Sequence, residues 1–217
     1  MRRRSATPSG AIASGEIQFL GDPPIPFALI RSALTASAAT ALASPSRSPV
    51  RLTVRDARAD ELQAVYDLTR RAYAEYATAM DPNSWEALSG AIDAGLSSDQ
   101  EMQRIVAVEG DTIVGSALLL PPSEDAYKGF GVRVTAPEVR LVAVDPAARG
   151  RGVAHALMNE CLRRARESGA TEIGLHTSGS MKAAMQMYER MGFQRAPESD
   201  FQPPGTERVV GYRLVLK

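Results

Sequence analysis

The stretch from Glu138 to Leu157, EVRLVAVDPAARGRGVAHAL, constrains the fold of this chain more than any other. Val139 to Val144 is short, apolar and rich in valine, which reads as a buried or half-buried strand. Asp145-Pro146 ends it. Arg149-Gly150-Arg151-Gly152 follows as a basic, glycine-punctuated turn. From Val153 the period changes to 3.6: Ala154, Leu157, Met158, Cys161 and Ala165 share one face, and His155, Asn159, Arg163 and Arg166 the other. The unit is strand, turn, helix.

That junction suits a phosphate. The first N–H groups of a helix lack partners inside it, and the helix dipole adds positive potential there. Glycines remove Cβ atoms, so an anion can approach the backbone. Arg149 and Arg151 add charge at the same place. A single Gly-x-Gly is also what an ordinary tight turn uses, and that reading stays open at this point. An RNA-binding arginine-glycine box is disfavoured, because one copy without interleaved aromatics does not make one.

Arg149-x-x-Gly152-x-Ala154, preceded by the strand end VAVDP, resembles the acyl-CoA pyrophosphate-binding motif of the GNAT superfamily of N-acetyltransferases. The family pattern is Gln or Arg, two residues, Gly, one residue, then Gly or Ala. A second stretch similar to a family signature, AMQMYERMGF, runs from Ala184 to Phe193. The resemblance spans Val50 to Lys217. It implies a single α/β (α+β) domain over residues 50–217, with a mixed, largely antiparallel twisted sheet flanked by helices. In that fold the strands at Glu138–Val144 and Thr171–Thr177 run parallel and splay apart, and the cofactor enters the gap.

The resemblance also implies roles. The backbone of Val142, Ala143 and Val144 is expected to contact the pantetheine arm of acetyl-CoA, the co-substrate. Arg149, Gly150, Arg151, Gly152, Val153 and Ala154 are expected to cradle its pyrophosphate. No metal is expected. Glu138 is the candidate base and Tyr188 the candidate acid for the departing thiolate. Each has a plainer reading. Glu138 can order the sheet or pair with Arg140, and Tyr188 can be a helix aromatic packed on the sheet. Many family members place an asparagine just past the strand ending near Thr177; here the segment reads Thr177-Ser178-Gly179-Ser180.

The remaining chain fits one domain. Its 217 residues carry 25 Lys+Arg against 25 Asp+Glu, and zero net charge argues against a nucleic-acid surface. Cys161 is the only cysteine, which excludes an intrachain disulfide and a cysteine metal cluster; on the apolar helix face it reads as a core thiol. Residues 1–49 are rich in Ala, Ser and Pro, hold only Glu16 and Asp22 as acids, and open with Arg2-Arg3-Arg4. They read as a disordered or spurious extension with a faint transit-peptide character, too polar to span a membrane.

From Val50 the expected elements are a strand over Arg51–Ala57, a helix over Asp60–Tyr76 and a second helix over Ser84–Ala94 capped by Ser84. Two strands, Arg104–Val108 and Thr112–Leu120, flank a Glu109-Gly110-Asp111 turn. Pro121–Pro137 is expected to be a loop. A strand over Thr171–Thr177, a helix over Met181–Met191 and a strand over Arg208–Leu216 complete the order. His176 reads as a satisfied structural histidine and His155 as a solvated one. Tyr73, Tyr76, Met80 and Trp85 read as core, with some lining an acceptor pocket. The expected activity is direct transfer of an acetyl group from acetyl-CoA to a small-molecule or peptide amine, in a cytoplasmic protein that binds neither nucleic acid nor membrane, with a homodimer as one expected assembly. A catalytically silent acyl-CoA-binding or sensory domain is the alternative. A module for another diphosphate nucleotide is a third reading.

Overall fold

The computed structural model describes residues 51–127 and 129–217. The extension assigned to residues 1–49 lies outside them. The strands are β1 (Leu52–Asp56), β2 (Gln103–Glu109), β3 (Thr112–Leu120), β4 (Ser123–Tyr127), β5 (Val132–Val134), β6 (Glu138–Val144), β7 (Glu172–Ser178), β8 (Gln194–Arg195) and β9 (Val209–Val215). The helices are α1 (Leu62–Tyr73), α2 (Tyr76–Ala79), α3 (Pro82–Ser97), α4 (Val153–Glu167) and α5 (Lys182–Arg190). Seven strands form one sheet in the order β1-β2-β3-β6-β7-β9-β8, and β4 pairs with β5 alone. Every neighbouring pair is antiparallel except β6 and β7.

The middle of the sheet is covered on both faces, which explains why its strands are apolar without strict alternation. Ile105 and Ala107 of β2 belong to the core beneath α4, with Leu157, Met158, Cys161 and Ala165. The intervening Val106 and Val108 pack with Val65 of α1. Leu68 and Ala72 of α1 close over Ala143 of β6. Burial drives the Cys161 thiol pKa up to about 12, as expected for a core cysteine. Gly115 of β3 lets α4 sit close, since a Cβ there would lie 2.6 Å from Val153 Cγ1.

Three local expectations change. Asp81, not Ser84, caps α3: its carboxylate accepts the Ser84 N–H at 3.0 Å and the Ser84 hydroxyl at 2.6 Å. The Asp-Pro pair sets this start, because proline at the first helical position has its φ already fixed and needs no N–H. The segment Pro121–Pro137 is not a plain loop, since it contains the β4–β5 hairpin. The helix expected over Asp60–Tyr76 is divided: a 3₁₀ turn over Ala59–Glu61 precedes α1, and the four-residue α2 follows it. No helix among the described residues is long and apolar enough to cross a membrane.

Candidate functional site

The parallel pair opens almost as soon as it forms. Only Glu138↔Gly174 and Val139↔Leu175 are in register. Beyond Val139 the strands part, as the resemblance implies. Part of the cause lies in β6 itself. Leu141 has φ +50°, rare for a branched side chain. The β3 ladder jumps from Leu118↔Arg140 to Ser116↔Ala143, so Leu141 and Val142 form a bulge. Such a bulge re-aims backbone groups, and nothing in the residue type Leu announces it.

A cleft of about 650 Å³ fills the gap. Of the residues expected to hold the cofactor, Val142, Ala143, Val144, Arg149, Gly150, Gly152, Val153 and Ala154 line it, together with Tyr188. Its floor is the start of α4. Gly150 and Gly152 have φ of +74° and +80°, and a Cβ on either would meet nothing within 4 Å, so it would project into open space. Gly152 is the N-cap and supplies no side-chain acceptor. The first helical bond here is Ala156 N–H to the Gly152 carbonyl, at 2.9 Å. Among the described residues, no N–H from Gly150 to His155 has a protein acceptor. This is a row of free donors at the positive end of a 15-residue helix.

The two arginines of the turn differ. Arg149 lines the cleft but spends its guanidinium on Glu75, at 2.7 Å, and on the Ala72 carbonyl, at 3.0 Å. It ties the turn to the end of α1. The Arg151 side chain turns to Glu109 at the end of β2, at 2.6 Å, so only its backbone is left for the cradle. The Tyr73 hydroxyl donates to the Val142 carbonyl at 3.3 Å and narrows the cleft beside the bulge.

Tyr188 is 7% exposed, with its ring 5.9 Å from that of Phe193. Among the described residues its hydroxyl has no hydrogen-bond partner. Burial, helped by the neighbouring Tyr76, holds its pKa above the ordinary 10, so the phenol keeps its proton at neutral pH.

Glu138 is elsewhere. It is 1% exposed and sits at the centre of a polar cluster. Oε1 accepts from the Tyr127 hydroxyl at 2.7 Å and from His176 Nδ1 at 2.6 Å; Oε2 accepts from Arg140 Nε at 2.6 Å. Burial alone would raise its pKa, but the His176 hydrogen bond and the Arg140 charge outweigh that, and the pKa is lowered. The other His176 nitrogen, Nε2, faces the Ser199 carbonyl at 2.9 Å. Both His176 nitrogens thus have an acceptor within hydrogen-bond distance. Tyr127, Phe201 and Phe130 stack over this cluster, with ring centroids 4.6 and 5.1 Å apart along the row.

The sequence assigns no role to Tyr127 or Phe201. Tyr127 lies in the stretch that reads as loop, and Phe201 is brought in by the chain between β8 and β9. The one sequence signal available was a pair of aromatics in otherwise polar connections.

Residues 62–193 match the acetyltransferase (GNAT) family. Among curated relatives, the chain is 33% identical to N-acetyltransferase 8B of Rattus norvegicus over 110 residues, covering 51% of this chain and 46% of that protein. It is 43% identical to mycothiol acetyltransferase of Gordonia bronchialis over 58 residues, covering 27% of this chain and 19% of that one. The chain thus spans less than half the length of these two relatives. Among solved structures, a GNAT acetyltransferase of Brucella melitensis in complex with acetyl-CoA superimposes with a TM-score of 0.51 at 19% identity, covering 77% of this chain and 90% of that one. A putative GNAT acetyltransferase of Desulfovibrio desulfuricans gives 0.56 at 19% identity, covering 77% and 100%. With the splayed parallel pair and the matched residues taken together, the chain belongs to the acetyltransferase (GNAT) family.

Proposed function

We propose that this protein is an acetyl-CoA-dependent N-acetyltransferase that acts by direct attack of an amine on the thioester. The observation that carries the reading is the row of unpartnered N–H groups from Gly150 to His155, facing a 650 Å³ cleft that also holds the Tyr188 hydroxyl. Free amide donors, glycines without Cβ atoms and a helix dipole form a site for a diphosphate. As co-substrate, acetyl-CoA supplies an activated acyl group: the neutral amine nitrogen bonds to its carbonyl carbon, the C–S bond breaks, the nitrogen gives up one proton and the sulfur takes one, and an amide and CoA thiol result. The backbone from Gly150 to Ala154 holds the pyrophosphate. A backbone N–H at the Leu141–Val142 bulge polarises the carbonyl. Tyr188 donates its proton to the departing sulfur and regains one from solvent. Glu138 reaches an acceptor only through Tyr127 or His176, and three donors lower its basicity. Positioning those side chains is therefore its leading role, ahead of the base function that the resemblance implies.

The test is release of free thiol from acetyl-CoA across a panel of amines, with CoA binding measured by calorimetry. Thiol release that depends on the amine supports the enzyme. The buried, fully partnered Glu138 is the observation that favours a silent acyl-CoA-binding domain. CoA binding without turnover on any amine would establish that alternative. Equal affinity for ATP or NAD would point to a different diphosphate.

A further inference from the structure

A second cavity, of about 580 Å³, shares Tyr73 and Met181 with the cleft described above. It is built for apolar matter. Ala87, Ala91 and Ala94 present the small side of α3 with Leu88 beside them, and Tyr127 and Phe201 form an aromatic surface. Small residues on a helix leave room for a ring, and aromatic faces bind rings and cations.

Apart from the tyrosines Tyr73 and Tyr127, three ionisable groups line this cavity: Arg140, His176 and Glu207. Arg140 and His176 are already committed to Glu138. Glu207 differs. Its carboxylate accepts from the Ser178 hydroxyl at 2.6 Å and the Ser180 hydroxyl at 3.1 Å, and its backbone N–H donates to the Ser84 hydroxyl at 2.7 Å. All three partners are neutral. Among the described residues no cation lies within ion-pair distance of it. The two serines flank the end of β7, the strand whose departure from β6 opens the cofactor cleft. Glu207 therefore fixes a carboxylate without an ion-pair partner among the described residues at that end of an apolar cavity adjoining the cleft.

We infer that the acceptor is a primary amine on an apolar, ring-sized body, with its ammonium held by Glu207 and its body between α3 and the Tyr127–Phe201 surface. This rests on the acetyltransferase reading above. Charge complementarity fixes the ammonium, and the apolar walls penalise an acceptor with further charges, because each must be desolvated without a partner. The ammonium first loses one proton to solvent, which frees the lone pair for attack; a second N–H proton leaves as the C–S bond breaks and offsets the one that Tyr188 gives to the sulfur.

The test is calorimetry of 2-phenylethylamine binding to the full chain saturated with CoA, against spermidine and glycine amide as polar amines. Phenylethylamine should bind more tightly than either. Glu207→Gln should weaken it by about 10- to 100-fold, the loss expected for one hydrogen-bonded charge, with CoA affinity unchanged. Ala91→Phe, which fills the cavity from the exposed side of α3, should exclude phenylethylamine and leave CoA binding intact. Tighter binding of spermidine, or undiminished phenylethylamine affinity in both variants, would overturn the proposal. So would competition of octanoyl-CoA, but not acetyl-CoA, with phenylethylamine, since the cavity would then house an acyl chain. Loss of CoA binding by the unaltered protein would instead defeat the underlying reading, so the two failures are distinguishable.

Discussion

At the residue scale, Tyr188 and Glu138 show how one sequence expectation can lead to two different environments. The Tyr188 ring is buried, but its hydroxyl, which has no protein partner among the described residues, is open to the cleft. Tyr188→Phe keeps the ring and its contacts with Phe193, so melting temperature and CoA affinity should change little. If the hydroxyl protonates the leaving sulfur, kcat should fall, by less than the roughly 10²–10⁴-fold typical of general-acid catalysis because a thiolate leaves readily. Steady-state kinetics beside calorimetry separates the two quantities, and an unchanged kcat would remove Tyr188 from the chemistry. Glu138 is held by Tyr127, His176 and Arg140, and Glu138→Gln leaves the buried side of Arg140 without its carboxylate. Breaking a buried pair from one side costs about 3–5 kcal/mol, so thermal unfolding should show a marked loss. A variant that is stable yet loses rate mainly near neutral pH, recovering at high pH, would instead restore Glu138 as the base. The sequence showed Glu138 and His176 as separate strand residues. That they touch follows from the register Glu138↔Gly174, which places His176 just beyond the last paired residue of β7.

At the element scale, the strand–turn–helix unit was legible because its signals are local. The change of period at Val153, the proline stop and the paired glycines each act within a few residues, and the structure begins α4 at Val153. Gly152→Val tests the cradle. The fold should survive, because a Cβ there would meet no protein atom within 4 Å, although the +80° φ would cost on the order of 1–2 kcal/mol. CoA affinity should fall far more, since a branched side chain would stand among the free N–H groups. Arg149→Ala should cost affinity less, because its guanidinium already serves Glu75 and Ala72. CoA titration of both variants checks the order, and a Gly152→Val protein that binds CoA normally would place the diphosphate elsewhere. The β4–β5 hairpin was not legible. Ser123, Glu124 and Asp125 carry no strand pattern, and the pairing is set by closure over Glu138 through Tyr127.

At the scale of the whole molecule, acid is the informative stress. The Arg55 hydrogen bond holds Glu61 at about 2, and the Arg163 hydrogen bond does the same for Glu160, both against an ordinary 4.5; Glu138 is lowered as well. Lowered carboxylates bind fewer protons folded than unfolded, so their contribution is complete above the ordinary value and is lost as pH falls from about 4.5 toward 2. Urea denaturation at pH 7, 4 and 3 should show stability falling in that window, and a rise on acidification would contradict it. Removing residues 1–48, which lie outside the described residues, should leave the melting temperature and CoA affinity unchanged, because that segment is too poor in contiguous apolar residues to join a core. A drop of many degrees would show that it packs on the domain. The sequence by itself determined the order of the main elements, the buried face of α4 and the glycine cradle, because periodicity and turn chemistry act over short spans of chain. Only the tertiary structure decided the bulge at Leu141, the cluster around Glu138 and the serine-bound carboxylate of Glu207 beside an apolar cavity. These depend on which strands become neighbours and where they part, and that is settled by long-range burial and register that no local pattern encodes.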